Sequence, residues 1–142
     1  MKENGLINDF MNSYFDVNRC MNLYESIPRH YGTDDILYMA EAHLIKTIDE
    51  LGQTTTTCLA EITGRSKSAI SQLVNKLVKK EIVSREKSRT TVNEIVLTLT
   101  EKGQKIAAYH NQLDQEGFQS IVRALGGLTE EEMRLCIRVN KA

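Results

Sequence analysis

The spacing of apolar residues changes at Lys80, and this change limits the folds that the chain can adopt. From Ile70 up to that point, the apolar residues of one face recur every three or four positions, which is the period of a helix. In Ile82–Lys87 and Ile95–Leu99 the period is two, which is typical of strands. In the second strand, one face is expected to carry Ile95, Leu97 and Leu99. The sequence therefore predicts helices followed by a β-hairpin with a polar tip.

The helical part divides at Gly64. Before it, Thr54–Thr57 can cap a short helix over Cys58–Thr63, because threonine hydroxyls accept hydrogen bonds from the free amides of a first turn. After it, Ser66 caps a longer helix that ends near Lys80. The residues of that helix that should face inward are Ile70, Leu73 or Val74, and Leu77. Two helices joined by a short turn with glycine indicate a helix-turn-helix.

Longer helices are predicted on both sides of this unit. A first helix spans Leu6–Pro28 with its apolar residues on one stripe, and a second spans Ile36–Leu51. Behind the hairpin, a fifth helix spans Thr100–Leu125, and Thr129 starts a terminal helix because glutamates follow it in the first turn. We therefore expect a mainly α fold with one small antiparallel hairpin, in a single domain of residues 1–142.

The net charge of −1 conceals a cationic segment. Residues 64–89 contain 8 Lys and Arg against 2 Asp and Glu, whereas residues 1–63 contain 4 against 10 and residues 90–142 contain 6 against 7. Clustered positive charge attracts phosphates whatever the total charge of the protein. The segment therefore indicates either an anionic partner that touches one surface or simply a solvated helix face.

Several function classes are not expected for this chain. Its cysteines, Cys20, Cys58 and Cys136, are far apart and odd in number, so neither a disulfide framework nor a cysteine-rich zinc knuckle is indicated. No phosphate-binding glycine loop or nucleophile motif occurs, which argues against an enzyme. No apolar run is long enough to span a bilayer and the start of the chain lacks an export signal, so we expect a cytoplasmic protein without membrane contact.

Four short motifs occur in a fixed order. They are Leu59-Ala60, Ser66-Lys67-Ser68 with Ser71, Lys76-Leu77 with Lys79-Lys80, and Leu99-Thr100 with Gly103. In this order, at these distances and between long helices, they resemble the MarR family of bacterial transcription regulators. The resemblance implies a winged helix-turn-helix, with the DNA-binding part at residues 36–103 and dimerisation helices at residues 1–30 and 104–142.

The helix after Ser66 is the candidate recognition helix. A helix about 10 to 12 Å across fits a major groove about 12 Å wide, and short polar side chains at its leading end can contact base edges. The residues that we assign to this surface are Ser66, Lys67, Ser68, Ser71, Gln72, Asn75 and Lys76. Gln72 and Asn75 carry paired donors and acceptors that suit adenine, whereas Lys67 and Lys76 suit phosphates.

The hairpin supplies further positive charge. Arg85, Lys87 and Arg89 are expected beside the minor groove or the DNA backbone. Most members of the family carry an Asp closely followed by Arg in the wing, and Ser88-Arg89-Thr90 has no such Asp. The resemblance therefore leaves the identity of the wing arginine open. A winged helix that only docks another protein is the alternative to DNA binding.

The resemblance also implies a homodimer, because family members form two-fold dimers through their terminal helices. Two recognition helices then bind two half-sites about one helical turn apart, so the expected target is a short pseudo-palindrome in double-stranded DNA. We expect such a regulator to act as a repressor whose DNA affinity depends on a bound effector.

A divalent metal is the first candidate effector. His110 and Asp114 are four residues apart on one predicted helix, so both side chains lie on the same side. With Glu25 and His43 they resemble, in order and spacing, one metal site of the zinc-responsive branch, which has a histidine where this chain has Asp114. The resemblance implies Zn²⁺, and the same ligand types suit Mn²⁺, Fe²⁺ or Ni²⁺. Alternatively, the two histidines are buried and paired with the carboxylates.

Two other effectors remain as alternatives. Cys20, with Tyr24 one turn later, resembles the thiol and tyrosine pair of the peroxide-sensing branch of the family. A cysteine inside an apolar stripe is, however, also an ordinary core residue. The family's generic alternative is a small aromatic ligand, whose candidate lining residues are Tyr24, Tyr31, Tyr38 and Met39.

Overall fold

The computed structural model describes residues 2–124 and 126–141, and these residues form six helices and two small antiparallel sheets. The helices are α1 (Lys2–Ser26), α2 (Met39–Leu51), α3 (Thr56–Thr63), α4 (Lys67–Lys79), α5 (Glu101–Ala124) and α6 (Glu130–Asn140). The strands are β1 (Arg29–His30), β2 (Ile36–Leu37), β3 (Val83–Lys87) and β4 (Ile95–Leu99). The expected mainly α fold with a β-hairpin is confirmed.

The helix-turn-helix consists of α3 and α4, which pack against each other. The Thr55 hydroxyl accepts a hydrogen bond from the Cys58 amide at 3.1 Å, and the Ser66 hydroxyl accepts one from the Ala69 amide at 3.2 Å. These are the expected caps. Gly64 ends α3 with φ of 66°, a left-handed conformation that favours glycine. Because Thr55 is the cap, α3 begins at Thr56, two residues earlier than predicted.

The start of α2 differs from the prediction. Ile36–Leu37 do not belong to the helix, because they pair with Arg29–His30 as the two-residue strands β2 and β1. The helix begins at Met39, and the Glu41 carboxylate accepts a hydrogen bond from the Tyr38 amide at 2.9 Å. Two apolar residues at the start of a helical pattern fit either the first turn of a helix or a short strand. Local periodicity therefore did not reveal the sheet.

The hairpin has β4 as predicted and β3 one residue shorter, because β3 begins at Val83 and not at Ile82, and its burial pattern is different. The β3–β4 register runs from Val83 opposite Leu99 to Lys87 opposite Ile95. Ile95 is exposed, whereas the neighbours Val96 and Leu97 are both buried. The predicted alternation is therefore wrong in this strand. Since consecutive strand residues point to opposite faces, both faces of β4 are covered at this position.

The core of the first compact unit, residues 1–110, contains the buried residues of α2, α3, α4 and the hairpin. The fully buried side chains of α4 are Ile70, Val74 and Leu77, while Leu73 is half-buried. The inward position left open between Leu73 and Val74 is therefore taken by Val74. This inner side holds α4 against the unit and leaves its polar side outside.

The second compact unit, residues 111–142, contains the later part of α5 and all of α6. Thr129 caps α6 as predicted, and its backbone amide and hydroxyl donate to the Glu132 carboxylate, which lowers the pKa of Glu132. Leu125, the predicted end of the fifth helix, lies outside the described residues. None of the helices described is long and apolar enough to cross a bilayer.

Candidate nucleic-acid interface

The outer side of α4 carries nearly all of the predicted base-contacting and phosphate-contacting residues. Six of them are exposed, namely Ser66, Lys67, Ser68, Gln72, Asn75 and Lys76, and Ser71 is half-buried. The opposite side is anchored in the core by Ile70, Val74 and Leu77. The helix can therefore present short polar side chains to a ligand without losing its packing.

One of the eight basic residues of the cationic segment faces the interior. The Lys80 ammonium donates to the Ile36 carbonyl oxygen at 2.8 Å and lies 3.4 Å from the Glu41 carboxylate, which is buried. A buried carboxylate needs such a partner, because an unpaired buried charge is costly. Lys80 therefore fastens α4 to α2, and we do not count it among the residues available to an external anion.

The remaining basic residues of this segment form the cationic surface, defined as Arg65, Lys67, Lys76, Lys79, Arg85, Lys87 and Arg89. All are exposed, and none makes an ion pair with another residue in the described ranges 2–124 and 126–141. Within the described part of the chain no ion pair neutralises their charge, so it is available to an anionic partner.

The wing holds Arg89 on an ordered turn. The Ser88 hydroxyl accepts hydrogen bonds from the backbone amides of Thr90 and Thr91, at 3.3 and 3.1 Å. The Ser88 amide donates to the Glu94 carbonyl oxygen at 2.8 Å and closes the hairpin loop. A serine hydroxyl can replace backbone acceptors in this way. Ser88 therefore stabilises the turn that carries Arg89.

A hydrogen bond joins α4 to strand β3. The Arg85 guanidinium, through Nη2, donates to the Asn75 side-chain oxygen Oδ1 at 2.6 Å, and both residues are exposed. Both residues were predicted to lie at the interface, but the bond between them was not predicted. No local pattern could have revealed it, because the two residues lie in different elements and meet only through the packing of α4 on β3.

The structure brings together two of the four predicted metal ligands. The rings of His43 and His110 stack with their centroids 5.3 Å apart, and Tyr31 meets His110 edge-on at 5.5 Å. His110 is buried and His43 is exposed. Glu25 lies exposed at the end of α1, and Asp114 belongs to the second compact unit. Among the residues that the structure describes, no three His, Cys, Asp or Glu side chains form a metal-binding group.

The residues named for the other effectors are dispersed. Tyr31 and Met39 are buried, and the Tyr31 hydroxyl donates to the Met39 sulfur at 3.9 Å, whereas Tyr24 and Tyr38 are exposed. Cys20 is an exposed free thiol on α1. The four residues named for an aromatic ligand therefore divide between core and surface.

Comparison with known proteins agrees with this geometry. Residues 37–90, which run from β2 through the wing turn, match the model of the MarR family. The Bacillus subtilis protein named as the uncharacterized HTH-type transcriptional regulator YvnA is 32% identical over 78 residues, which is 55% of this chain and 50% of that protein. The matched stretch thus spans about half the length of that relative.

Three solved structures share the fold. The zinc-responsive MarR family member ZitR of Lactococcus lactis has a TM-score of 0.74 at 16% identity, covering 94% of this chain and 93% of that one. The structure of Lactococcus lactis ZitR in complex with DNA has a TM-score of 0.75 at 18% identity, covering 96% of this chain and 93% of that one. Streptococcus pneumoniae FabT in complex with DNA has a TM-score of 0.71 at 21% identity, covering 95% of this chain and 90% of that one. The expected resemblance and the winged-helix fold are confirmed.

Proposed function

Because residues 37–90 are a MarR family domain, we propose that this chain is a transcription regulator that binds double-stranded DNA through α4 and the β3–β4 wing. The observation that carries the proposal is the combination of two features on one surface. Polar side chains project from a helix anchored in the core, and the seven residues of the cationic surface have no ion-pair partner among the described residues. Such a protein works in the compartment that holds the DNA, which is the cytoplasm.

The proposed active form is a homodimer. In α1 the exposed apolar residues include Leu6, Phe10, Tyr14, Val17 and Met21, and in the second unit they include Phe118, Ile121, Val122, Leu135 and Ile137. So many large apolar side chains exposed on helix surfaces indicate that another protein surface covers them. A second copy would place two recognition helices on two half-sites of a pseudo-palindrome, with residues 1–30 and 104–142 as dimerisation helices around the DNA-binding part at 36–103.

We propose repression as the outcome of DNA binding, because a dimer on its operator occupies DNA that the transcription machinery needs. A protein-docking module of the same fold is the competing function. Indifference to every DNA duplex at low salt would favour it.

Two substitutions in α4 test the proposal. Gln72→Ala should relax base preference at one position of the operator, since a good bidentate side-chain contact is worth about 1 to 3 kcal/mol of discrimination. Lys76→Ala should weaken binding to all sequences by a similar factor, because a phosphate contact carries no sequence information. Both residues are exposed, so neither change should unfold the protein. Titrations against duplexes with single base changes measure both effects, and a uniform loss in both variants would refute the assignment.

We further propose a divalent metal such as Zn²⁺ as the effector, held by His43 and His110 with Glu25 and Asp114. The juxtaposed imidazoles support this proposal, as does the fold shared with a MarR family member that is named zinc-responsive. Imidazole and carboxylate ligands would hold such an ion, whose charge would tie together the elements that carry them. A metal that binds more tightly when the recognition helices have one particular spacing will change the affinity for DNA. By linkage, DNA then changes the affinity for the metal by the same factor.

Addition of Zn²⁺ should raise the melting temperature of the wild-type protein and shift its DNA affinity. A ligand at about one hundred times its Kd stabilises a protein by about 2.7 kcal/mol. His43→Ala should lose both effects, and because His43 is exposed this variant should fold normally. His30→Ala is the matched control, since His30 lies exposed in β1 outside the ring cluster. If Zn²⁺ changes neither quantity in the wild type, the metal proposal fails.

A further inference from the structure

We propose that Arg85 is a positioning residue that determines which base Asn75 contacts, an inference that rests on the proposed DNA binding by α4. The Arg85 Nη2 atom donates to Asn75 Oδ1 at 2.6 Å. A guanidinium has donors only, so the amide atom that faces it must be the oxygen and not the nitrogen. The Asn75 NH₂ group is therefore directed away from Arg85.

The position of the pair allows it to act during recognition. Asn75 lies on the exposed side of α4, about two and a half turns after the Ser66 cap. Arg85 lies in β3 opposite Leu97 of β4. The bond is charge-assisted, which makes it shorter and stronger than a neutral hydrogen bond. The wing therefore sets the rotation of a side chain on the recognition helix before any DNA arrives.

The orientation of this amide changes its base preference. An asparagine with both groups free presents one donor and one acceptor, which match N6 and N7 of adenine. With Oδ1 bound to Arg85, the NH₂ group on the other side of the amide is the part of Asn75 best placed to contact a base, and it offers N–H donors to the major groove. Guanine presents two acceptors there, N7 and O6, whereas adenine presents one acceptor and one donor. Asn75 held by Arg85 therefore prefers guanine, and a released Asn75 prefers adenine.

The test measures the ratio of affinities for guanine and adenine at the contacted position. This position is located first, as the one at which Asn75→Ala removes the preference. The wild-type protein should prefer guanine over adenine there on the order of tenfold. Arg85→Ala should reverse the preference, and the double variant with Asn75→Ala should show none. A change in ratio at one position is a result that simple loss of positive charge cannot produce.

Lys87→Ala is the matched control, because it removes a positive charge from the same strand and Lys87 has no hydrogen bond to Asn75 among the described residues. It should weaken binding to all duplexes equally and leave the ratio unchanged. If Arg85→Ala behaves in the same way, Arg85 is only a phosphate contact and the inference is overturned. If the wild-type protein binds no duplex at all, the proposed function fails and the inference fails with it. The two failures are thus distinguishable.

Discussion

Gly103→Ala is expected to lower the free energy of unfolding by about 3 kcal/mol, the upper end of the usual cost of overpacking. A Cβ atom at Gly103 would lie 2.3 Å from the Ile82 carbonyl oxygen and 3.1 Å from the Leu99 Cβ. The first of these is a backbone atom, so it cannot move aside as the end of a flexible side chain could. The added methyl group must therefore push α5 away from the base of the hairpin.

The surrounding hydrogen bonds make this displacement costly. The Thr100 hydroxyl donates to the Glu81 carbonyl oxygen at 2.7 Å and accepts from the Gly103 amide at 3.1 Å. The Thr100 amide donates to the Ile82 carbonyl oxygen at 3.1 Å. A shift of α5 would stretch all three bonds, and each such bond contributes about 1 kcal/mol. The Leu-Thr-x-x-Gly motif therefore connects the wing to the long helix behind it.

Thermal or urea unfolding measures the effect, with Gly117→Ala as the matched control in the same helix. Apart from its two chain neighbours and the adjacent backbone of α5, no described residue has a heavy atom within 4 Å of the Cβ position at Gly117. Removal of a glycine from a helix interior should stabilise the protein by about 0.5 to 1 kcal/mol. If Gly103→Ala is as stable as the wild type, α5 and the hairpin do not approach each other as closely as described.

The second large effect concerns salt. Raising NaCl from about 50 mM to about 200 mM should lower DNA affinity on the order of a thousandfold, since each phosphate that a Lys or Arg neutralises releases counterions. The cationic surface supplies seven basic residues per subunit. A dimer that uses only half of these residues would already make about 6 to 10 phosphate contacts, the number for which such a loss is typical.

The slope of log affinity against log salt identifies the residues responsible. Lys67→Ala should reduce the slope by about one for each phosphate contact that is lost. Lys105→Ala serves as the control, because the Lys105 ammonium lies 3.0 Å from the Glu101 carboxylate and its charge is already paired. An affinity that barely responds to salt would contradict phosphate contact and favour the protein-docking alternative.

Local signals were sufficient for the helix-turn-helix. Thr55 and Ser66 cap α3 and α4 because a cap depends on atoms within three residues of chain. The end of α3 at Gly64 follows from a backbone angle that glycine alone adopts easily. The sheet between Arg29–His30 and Ile36–Leu37 was missed, since it depends on pairing across a loop.

The candidate interface was only partly predictable. The exposure of Lys67, Gln72 and Lys76 follows from helical periodicity, because the opposite side of α4 is apolar. The pairing of Lys80 with the buried Glu41 could not be predicted, since the two residues lie 39 positions apart. The bond between Arg85 and Asn75 was missed for the same reason.

The sequence by itself determined the order of the helices and of the β3–β4 hairpin, the cap at the start of α4 and the segment that holds the positive charge. These features depend on backbone conformation and on interactions between near neighbours, which short stretches of chain encode. Tertiary structure decided which cation faces inward, how close α5 comes to Ile82 and how Asn75 is oriented. The reason is that each of these depends on atoms brought together by packing of distant segments, where a shift of about 1 Å breaks a hydrogen bond.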